Sequence, residues 1–190
     1  MTELVFATGD SHKLGEARKI LSGAIEVIGY DGPEPVENGT SFLDNALIKA
    51  RAAFAATGKP SFADDSGIAV EVMGGAPGIF SAIWSGTRSD SANRDLLLAQ
   101  MSDIPQEHRA ASFVCTVALV GPEGEVTFTG VWPGRLAFEV MGEGGFGYDP
   151  VFIPEGFEVT AAQLDPEIKN AYSHRFMAMK QLADYLSQQP

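Results

Sequence analysis

Apolar and polar residues alternate along the chain with two different periodicities, one typical of strands and one typical of helices. Residues 4–7 and 25–28 are short, largely apolar runs next to polar turns, and they predict two strands. Between them, Leu14, Ala17 and Leu21 recur at the spacing of one helix face. A strand, a helix and a second strand in this order indicate the α/β class.

The same two periodicities continue through the middle of the chain. Ser41 and Asp44 resemble a capping box, and they precede the apolar stripe of a long helix formed by Phe42, Ala46, Ala50, Ala53 and Phe54. Residues 61–72 predict a strand, an acidic turn and a further strand. Residues 29–39 and 73–86 predict loops, and residues 91–101 predict another helix.

The C-terminal part predicts a hairpin and a final helix. Residues 113–120 and 125–131 flank the turn at residues 121–124, and residues 135–140 continue the sheet. The last helix covers residues 171–186, with its inward side chains at Phe176, Met179, Leu182, Ala183 and Leu186. Hairpins and crossovers in one chain predict an α/β fold with a mixed sheet.

Length and composition agree with one globular domain over residues 1–190, since 45% of the residues are hydrophobic. No apolar run approaches the roughly 18 residues that a membrane helix needs. The first residues lack the basic flank of a signal peptide. The lone Cys115 lies in an apolar run and indicates a core residue. We therefore expect a soluble, cytoplasmic protein with no membrane partner.

The formal net charge of −12 changes the list of possible partners. It argues against nucleic acid, whose binding rests on many Lys and Arg contacts to phosphates. A small anionic substrate is compatible with this charge where metal ions and a few well-placed cations offset the field. The positions of the scarce cations therefore indicate candidate sites.

The glycine-rich segment 144–150, Gly-Gly-Phe-Gly-Tyr-Asp-Pro, is the most informative part of the sequence. Its glycines allow the backbone to turn sharply and to approach a ligand closely. Phe146 and Tyr148 offer flat surfaces for a planar ring, and Asp149 can accept hydrogen bonds from the edge of such a ring. The segment predicts either a base-binding loop or a purely structural turn.

Residues 8–13 are a candidate phosphate cradle. Lys13 lies in the first turn of a helix that follows a strand, where free N–H groups and the helix dipole favour anions. The second Gly and the Lys-Ser/Thr pair of a P-loop are absent. An ordinary capped helix with a surface lysine is the alternative reading.

Two adjacent carboxylates, Asp64 and Asp65, follow a run of apolar and small residues. Their mutual repulsion requires a cation or a proton. Their oxygens suit Mg²⁺, and an acid from the loop around Glu37 would complete the site. Either aspartate would also serve as a general base toward a water molecule. The alternative is a solvated acidic turn.

Lys169, His174 and Arg175 cluster near the start of the last helix. They would bring two or three donors to a ligand, or they form an ordinary helix surface. No His/Cys spacing suggests zinc.

Six motifs in this order resemble the inosine triphosphate pyrophosphatase family, specifically its bacterial branch of non-canonical purine NTP pyrophosphatases. The motifs are Thr8-Gly9-x-x-x-Lys13, Ser41-Phe-x-x-Asn45-Ala-x-x-Lys49-Ala50, Ala63-Asp-Asp-Ser-Gly67, Gly74-Gly-Ala-Pro-Gly78, Gly144-Gly-Phe-Gly-Tyr-Asp-Pro150 and Ser173-His-Arg175. The resemblance covers residues 4–186. It implies a long, twisted mixed sheet flanked by helices, in two lobes around a central cleft, and usually a homodimer. It also implies Mg²⁺-dependent hydrolysis of ITP, dITP and XTP to the monophosphate and pyrophosphate, which cleanses the nucleotide pool.

The resemblance implies a role for each matching residue. Asp65 would be the proton acceptor and, together with Glu37, a ligand of Mg²⁺. The triphosphate would be bound by Thr8, Gly9, Asp10, Ser11, His12 and Lys13, with Lys49 assisting and Ser66 touching the substrate. The base pocket would be lined by Phe146, Gly147, Tyr148 and Asp149, joined by Lys169, His174 and Arg175.

Two departures from the family pattern matter. The family usually has Asn where this chain has Asp10, and the bacterial branch commonly has Arg where this chain has Ile83. Arg88, a few residues further on, is a candidate substitute. We expect activity to be retained and substrate affinity to be reduced. Two alternatives stay open: a pyrophosphatase for other modified nucleotides, as in the similarly folded Maf-type proteins, and a nucleotide-binding module with little turnover.

Overall fold

The structure is a computed structural model and describes residues 2–21 and 25–189, with Thr2 and His12 described by their backbone alone. Six strands form one mixed sheet in the order β2-β1-β3-β4-β5-β6. They are β1 (Thr2–Phe6), β2 (Ile25–Gly29), β3 (Ser61–Val70), β4 (Ala110–Gly121), β5 (Gly124–Leu136) and β6 (Phe152–Pro154). Strand β1 pairs in parallel with β2 and β3, and β5 pairs antiparallel with β6. The α/β fold with a mixed sheet is therefore confirmed.

Five α-helices accompany this sheet within the described residues. They are α1 (Ser11–Ile20), α2 (Phe42–Thr57), α3 (Asp90–Gln100), α4 (Pro166–Tyr172) and α5 (His174–Ser187). Short 3₁₀ helices occupy parts of the connections, among them Glu71–Met73 at the end of the predicted strand 61–72 and Gly78–Ile83 in the segment predicted to be irregular. In the described part of the chain, none of these helices is long and apolar enough to cross a membrane.

The chain forms two compact units. The first unit comprises Met1–Asp65, Cys115–Gly130 and Arg175–Pro190, and the second comprises Ser66–Val114 and Val131–His174. Strands β3, β4 and β5 each contribute residues to both units.

The core of the first unit consists of two apolar clusters. One cluster joins Leu4 and Phe6 of β1 to Ala17 of α1, to Leu21 directly after that helix, and to apolar residues of α5 such as Met179. This confirms the inward face predicted for α1, and Cys115 lies in the same cluster, fully buried, as predicted.

The second cluster of the first unit places the helix α2 on the sheet. The stripe residues Ala46, Ala50 and Ala53 are fully buried and pack with Ala63 and Ala118. Side chains this small allow the helix backbone to approach the strands closely, so the alanine stripe fixes the position of the polar residues that α2 carries beside it.

A buried arginine organises the second unit. The side chain of Arg109 is only 1% exposed. It donates hydrogen bonds to the carbonyl oxygens of Met101, Ile104, Leu136 and Ala137. These bonds tie the end of α3 to the end of β5 and satisfy the buried guanidinium, whose burial alone would be costly.

Three element predictions were wrong. Residues 61–70 form one continuous strand, so the acidic turn predicted around Asp64 and Asp65 does not exist. Strand β5 ends at Leu136, short of the predicted extension to residue 140, and the strand β6 was not foreseen. The final helix begins at His174, because Ser173, in an extended conformation, separates it from α4.

Candidate active site

Asp64 and Asp65 lie side by side in the strand β3, and their side chains have different surroundings. Successive side chains of a strand point to opposite faces of the sheet. Asp64 meets residues of α1 and α5, whereas Asp65 meets residues of α2. The repulsion predicted for adjacent carboxylates is therefore relieved by separation and by a different set of partners for each group.

Asp64 is a buried carboxylate that is bound to two cations. Its Oδ2 accepts a hydrogen bond from Lys13 Nζ at 2.8 Å and lies 3.4 Å from Arg175 Nε. Arg175 also pairs with Glu16 at 3.3 Å. Burial opposes ionisation of Asp64, but Lys13, Arg175 and Lys49 together hold its pKa well below its usual value. Asp64 is thus a fixed negative charge that orients Lys13.

Asp65 belongs to a cluster with Glu37, Lys49 and Asn45. Asn45 Nδ2 donates to Asp65 Oδ2 at 3.1 Å, and Lys49 Nζ lies 3.0 Å from Glu37 Oε2 and 3.8 Å from Asp65 Oδ1. Both Asn45 and Lys49 are carried by α2, one turn apart, beside the alanine stripe. The helix therefore brings a cation between the two carboxylates predicted to bind a metal.

The pKa shifts in this cluster follow from burial and charge. Burial raises the pKa of Asp65, and the nearby carboxylates of Glu37 and Asp64 raise it further, although Lys49 and Asn45 act in the opposite direction. Burial lowers the pKa of Lys49, but the carboxylates of Asp64, Asp65 and Glu37 outweigh this effect, so its pKa is raised overall. Lys49 is a permanent cation, and Asp65 is a stronger base than an exposed aspartate.

The donor set of Glu37 and Asp65 fits Mg²⁺. Two carboxylates supply the hard oxygen ligands that this ion prefers, and Mg²⁺ usually completes its shell with water and substrate phosphates. Among the described residues there is no group of three or more His, Cys, Asp or Glu side chains that could hold a metal ion alone.

Residues 8–13 form the turn that leads from β1 into α1. Thr8 Oγ1 accepts from the Asp10 amide at 3.1 Å, and Asp10 Oδ1 accepts from the Lys13 amide at 3.3 Å. Asp10 thus caps α1 in the manner of an N-cap residue. Gly9 and Ser11 are exposed, and the side chain of His12 lies outside the described part of the chain. A side chain at Gly9 would come within 2.6 Å of Glu34 Oε1, so only glycine fits there without a shift.

The segment 144–150 that the sequence predicts to bind a base (the base-binding segment) forms a closed turn in the second unit. Asp149 Oδ2 accepts from the Phe146 amide at 2.8 Å and from Lys169 Nζ at 2.6 Å. Gly145 has a φ of +71°, and a Cβ on it would collide with the Asp149 carboxylate. Lys169 Nζ lies 5.0 Å from the centre of the Phe146 ring, which is 54% exposed. The turn therefore presents a partly exposed aromatic ring with a cation above it.

The side chain of Tyr148 has different surroundings from that of Phe146. It is buried, and its hydroxyl donates to the Ser81 carbonyl oxygen at 2.8 Å. Burial raises the pKa of Tyr148, so the hydroxyl keeps the proton that it donates. Tyr148 anchors the turn to the 3₁₀ helix Gly78–Ile83, and the flat surface that the sequence predicted for a planar ring is offered by Phe146 alone.

The remaining predicted site residues have separate surroundings. His174 stacks on Phe113, with 4.9 Å between the ring centres and 12° between the ring planes. Arg175, which the sequence grouped with the base loop, contacts Asp64 and Glu16 in the first unit. Ser66 is half-buried in β3, next to Asp65. Arg88 is exposed.

Sequence reasoning missed two residues of α3 that contact the base-binding segment. Asp90 Oδ2 accepts from the Gly147 amide at 2.8 Å, and Arg94 Nη1 donates to the Gly147 carbonyl oxygen at 2.7 Å. Asp90 lay just before the predicted helix 91–101 and Arg94 lay inside it, and nothing in their spacing indicated a partner more than fifty residues away.

The protein thus has an α/β fold and a candidate site of carboxylates and lysines. Comparison with known proteins identifies the class of proteins that shares these features. Residues 4–185 match the Ham1 family, and the chain belongs to that family. This confirms the family resemblance inferred from the six motifs.

Individual relatives cover almost the whole chain. A dITP/XTP pyrophosphatase of Leifsonia xyli is 54% identical over 98% of this chain and 96% of its own length. A dITP/XTP pyrophosphatase of Mycobacterium bovis is 50% identical over 94% of this chain and 92% of its own length. The solved structure of a HAM1 protein from Coxiella burnetii superimposes with a TM-score of 0.94, at 38% identity and full coverage of both chains.

Proposed function

We propose that this protein hydrolyses the non-canonical purine nucleotides ITP, dITP and XTP to the nucleoside monophosphate and pyrophosphate. The observation that carries the proposal is the cluster of Glu37, Lys49 and Asp65, in which a half-buried cation stands between two carboxylates. The relatives named dITP/XTP pyrophosphatase support the substrate class. Those names also favour an enzyme over a binding module, and purine over other nucleotides.

The first unit supplies the groups that phosphoryl chemistry needs. Such a reaction depends on positioning and charge neutralisation rather than on covalent participation by the protein. Lys49 contributes a permanent cation, and Lys13 contributes a second one that Asp64 holds in place. Asp65, which lies 3.8 Å from Lys49, accepts the proton of the attacking water.

We further propose that Glu37 and Asp65 hold Mg²⁺ together with the substrate phosphates. When bound, the ion would neutralise phosphate charge that a chain of net charge −12 otherwise repels. Lys49, which pairs with both carboxylates, would then be released toward the phosphates. The homodimer and the cytoplasmic location remain predictions from the sequence.

The second unit supplies the groups that recognise the base. The exposed face of Phe146 stacks on the purine, and Lys169 donates to an oxo group at the ring edge. A 6-amino group in place of the 6-oxo group would leave this cation without its acceptor. Discrimination of that kind reaches about 10⁴-fold in sites that hydrogen-bond their substrate.

The test is pyrophosphate release with Mg²⁺ from ITP, dITP, XTP, GTP, ATP and dTTP. We expect strong preference for the first three, and loss of turnover in the variant Asp65→Asn while nucleotide binding is retained. Binding of ITP without release of pyrophosphate by the unaltered protein would overturn the proposed activity. Equal release from all six nucleotides would overturn the proposed base recognition and leave the hydrolytic site standing.

A further inference from the structure

Two side chains of α3 bind the same residue of the base-binding segment. Asp90 and Arg94 are one helical turn apart, and they contact the N–H and the carbonyl group of Gly147 at 2.8 and 2.7 Å. The negatively charged Asp90 carboxylate thus accepts a hydrogen bond from the backbone N–H, and the positively charged Arg94 guanidinium donates one to the backbone carbonyl oxygen. Hydrogen bonds with one ionised partner are stronger than neutral ones. We propose that Asp90 and Arg94 are positioning residues that fix the base-binding segment in the shape that receives the purine.

The segment needs such support because its own backbone is permissive. Gly145 and Gly147 both have positive φ values, of +71° and +57°. Glycine loses more conformational freedom on ordering than any other residue. The Asp149 carboxylate holds one side of the turn through Phe146 and Lys169. Gly147 lies on the other side of Phe146, where the two bonds from α3 hold it.

The helix α3 is itself firmly placed in the second unit. Asn93 is 1% exposed; its Oδ1 accepts from the Ser85 amide at 2.8 Å and its Nδ2 donates to the Ala82 carbonyl at 3.1 Å. Asn93 lies between Asp90 and Arg94 in sequence, so the two clamping side chains extend from a helix turn that is anchored in the core. Tyr148 is tied to Ser81 in the same region.

The contacts of Asp90 and Arg94 with Gly147 should affect how the protein selects its substrate. Phe146 is the exposed aromatic residue of the turn, and its own amide and the amide of Gly147 are both fixed by hydrogen bonds. If Gly147 is released, Phe146 and the Lys169 cation above it no longer hold one arrangement, and both must be ordered when the purine binds. The cost of that ordering weakens binding and reduces discrimination between bases, with little effect on the chemical step. This inference rests on the proposed function of the turn.

Kinetics of four variants and one control test the proposal. Asp90→Ala and Arg94→Met remove the two contacts, whereas Asp90→Asn and Arg94→Lys keep an acceptor and a donor. Asp95→Asn is the matched control, because it changes the same charge on an exposed position of the same helix. We expect Asp90→Ala and Arg94→Met each to raise the KM for ITP about tenfold, as the loss of a charge-assisted bond predicts. We expect kcat to stay nearly unchanged, the preference for ITP over ATP to fall, the conservative variants to recover part of the loss, and the control to behave as wild type.

Two further measurements separate positioning from a general loss of stability. In the Phe146→Ala background, Asp90→Ala should have little further effect on KM, because the group through which it acts is gone. Hydrogen exchange of the amides of residues 144–149 should speed up in Asp90→Ala and Arg94→Met while the rest of α3 stays protected. An unchanged exchange rate in this segment would overturn the proposed positioning role of Asp90 and Arg94. So would unchanged KM and selectivity, a fully additive effect with Phe146→Ala, or an equal loss in Asp95→Asn.

The hydrogen-exchange measurement also distinguishes a failure of this inference from a failure of the proposed function. If the unaltered protein releases no pyrophosphate from any nucleotide, the proposed function fails. The exchange rates of residues 144–149 still decide whether Asp90 and Arg94 hold the turn, and the dissociation constant of ITP in the same variants decides whether that matters for binding.

Discussion

Asp64 shows how a single charged residue can have a structural role next to the residue proposed as the general base. It is 1% exposed and is bound by Lys13 and Arg175 from α1 and α5. Its neighbour Asp65 is less buried and faces Lys49 and Glu37. The motif Asp-Asp-Ser-Gly therefore combines one carboxylate that holds cations in place with one that is available for chemistry.

The substitution Asp64→Asn tests this structural role. It keeps the shape of the side chain but removes the charge, so two cations lose their buried partner. Breaking a buried ion pair in this way costs about 3–5 kcal/mol. We expect a loss of about 3 kcal/mol in the free energy of unfolding, measured by urea titration near neutral pH. A loss below about 1 kcal/mol would show that Lys13 and Arg175 reach solvent or other partners freely.

The effect of Asp64 on stability should depend on pH with a definite sign. The cations hold its pKa in the folded state well below the value of about 3.9 in the unfolded chain. The unfolded state therefore binds the proton first as pH falls, and the contribution of Asp64 is present above about pH 4 and is lost progressively below it. The difference in unfolding free energy between wild type and Asp64→Asn should shrink as the pH is lowered from 6 to 3. A constant difference over this range would contradict the prediction.

Lys49 is the residue whose loss should affect catalysis most directly. We expect Lys49→Met to lower kcat/KM for ITP by about 10²- to 10³-fold, the range found when one preorganised charge-stabilising group is removed. Arg51→Met is the matched control on the same helix, because Arg51 pairs with Glu125 at an exposed position. Steady-state kinetics with Mg²⁺ compare the two variants. A similar loss in both would mean that overall charge, rather than the place of Lys49, causes the effect.

At the scale of elements, α2 was predicted almost completely from the sequence. Ser41 Oγ accepts from the Asp44 amide at 3.1 Å, as the capping pattern indicated, and the alanine stripe is buried. Local hydrogen bonding and helical spacing decide both features, and both are visible in the sequence.

The cap of α2 allows a simple stability test. Ser41→Ala leaves the Asp44 amide without its acceptor and should cost about 1 kcal/mol, whereas Ser41→Gly should cost only a few tenths, because glycine lets water reach the helix end. Urea unfolding of both variants measures the difference. If alanine and glycine cost the same, the hydroxyl contributes nothing at this position.

The strand β3 shows where prediction from sequence failed and why. Two acids, a serine and a glycine in a row are typical of a turn. They form a strand here because each charge has a partner on another element: Lys13 and Arg175 for Asp64, and Lys49 for Asp65. Those partners lie far away in sequence, so local propensity had no access to them.

For the whole molecule, the motifs predicted the family and the fold, and the structure adds the arrangement of the site. The sequence named Glu37, Lys49 and Asp65, and these residues do form one cluster. Residue types alone did not separate Asp64 from Asp65, although the family resemblance singled out Asp65, and neither line of reasoning found Asp90 or Arg94. These features depend on packing between distant elements, which periodicity and motifs do not encode.

The division into two units leads to a prediction about unfolding. The strands β3, β4 and β5 each contribute to both units, so neither unit can unfold without breaking strands of the other. We expect one cooperative transition. The chain itself provides a probe in each unit: both tryptophans, Trp84 and Trp132, belong to the second unit, and the single cysteine, Cys115, belongs to the first.

The two probes should report the same midpoint in urea. Burial raises the pKa of the Cys115 thiol, so thiol reagents should label it only after the first unit opens. Tryptophan fluorescence follows the second unit. The core variants Met179→Ala in the first unit and Met101→Ala in the second should each lower the free energy of unfolding by about 2–5 kcal/mol. Each variant should lower the urea midpoint of both probes equally, because in a cooperative transition the whole molecule unfolds at once. Labelling of Cys115 at a lower urea concentration than the fluorescence change would show instead that the first unit opens alone. A variant that shifts only the probe of its own unit would lead to the same conclusion.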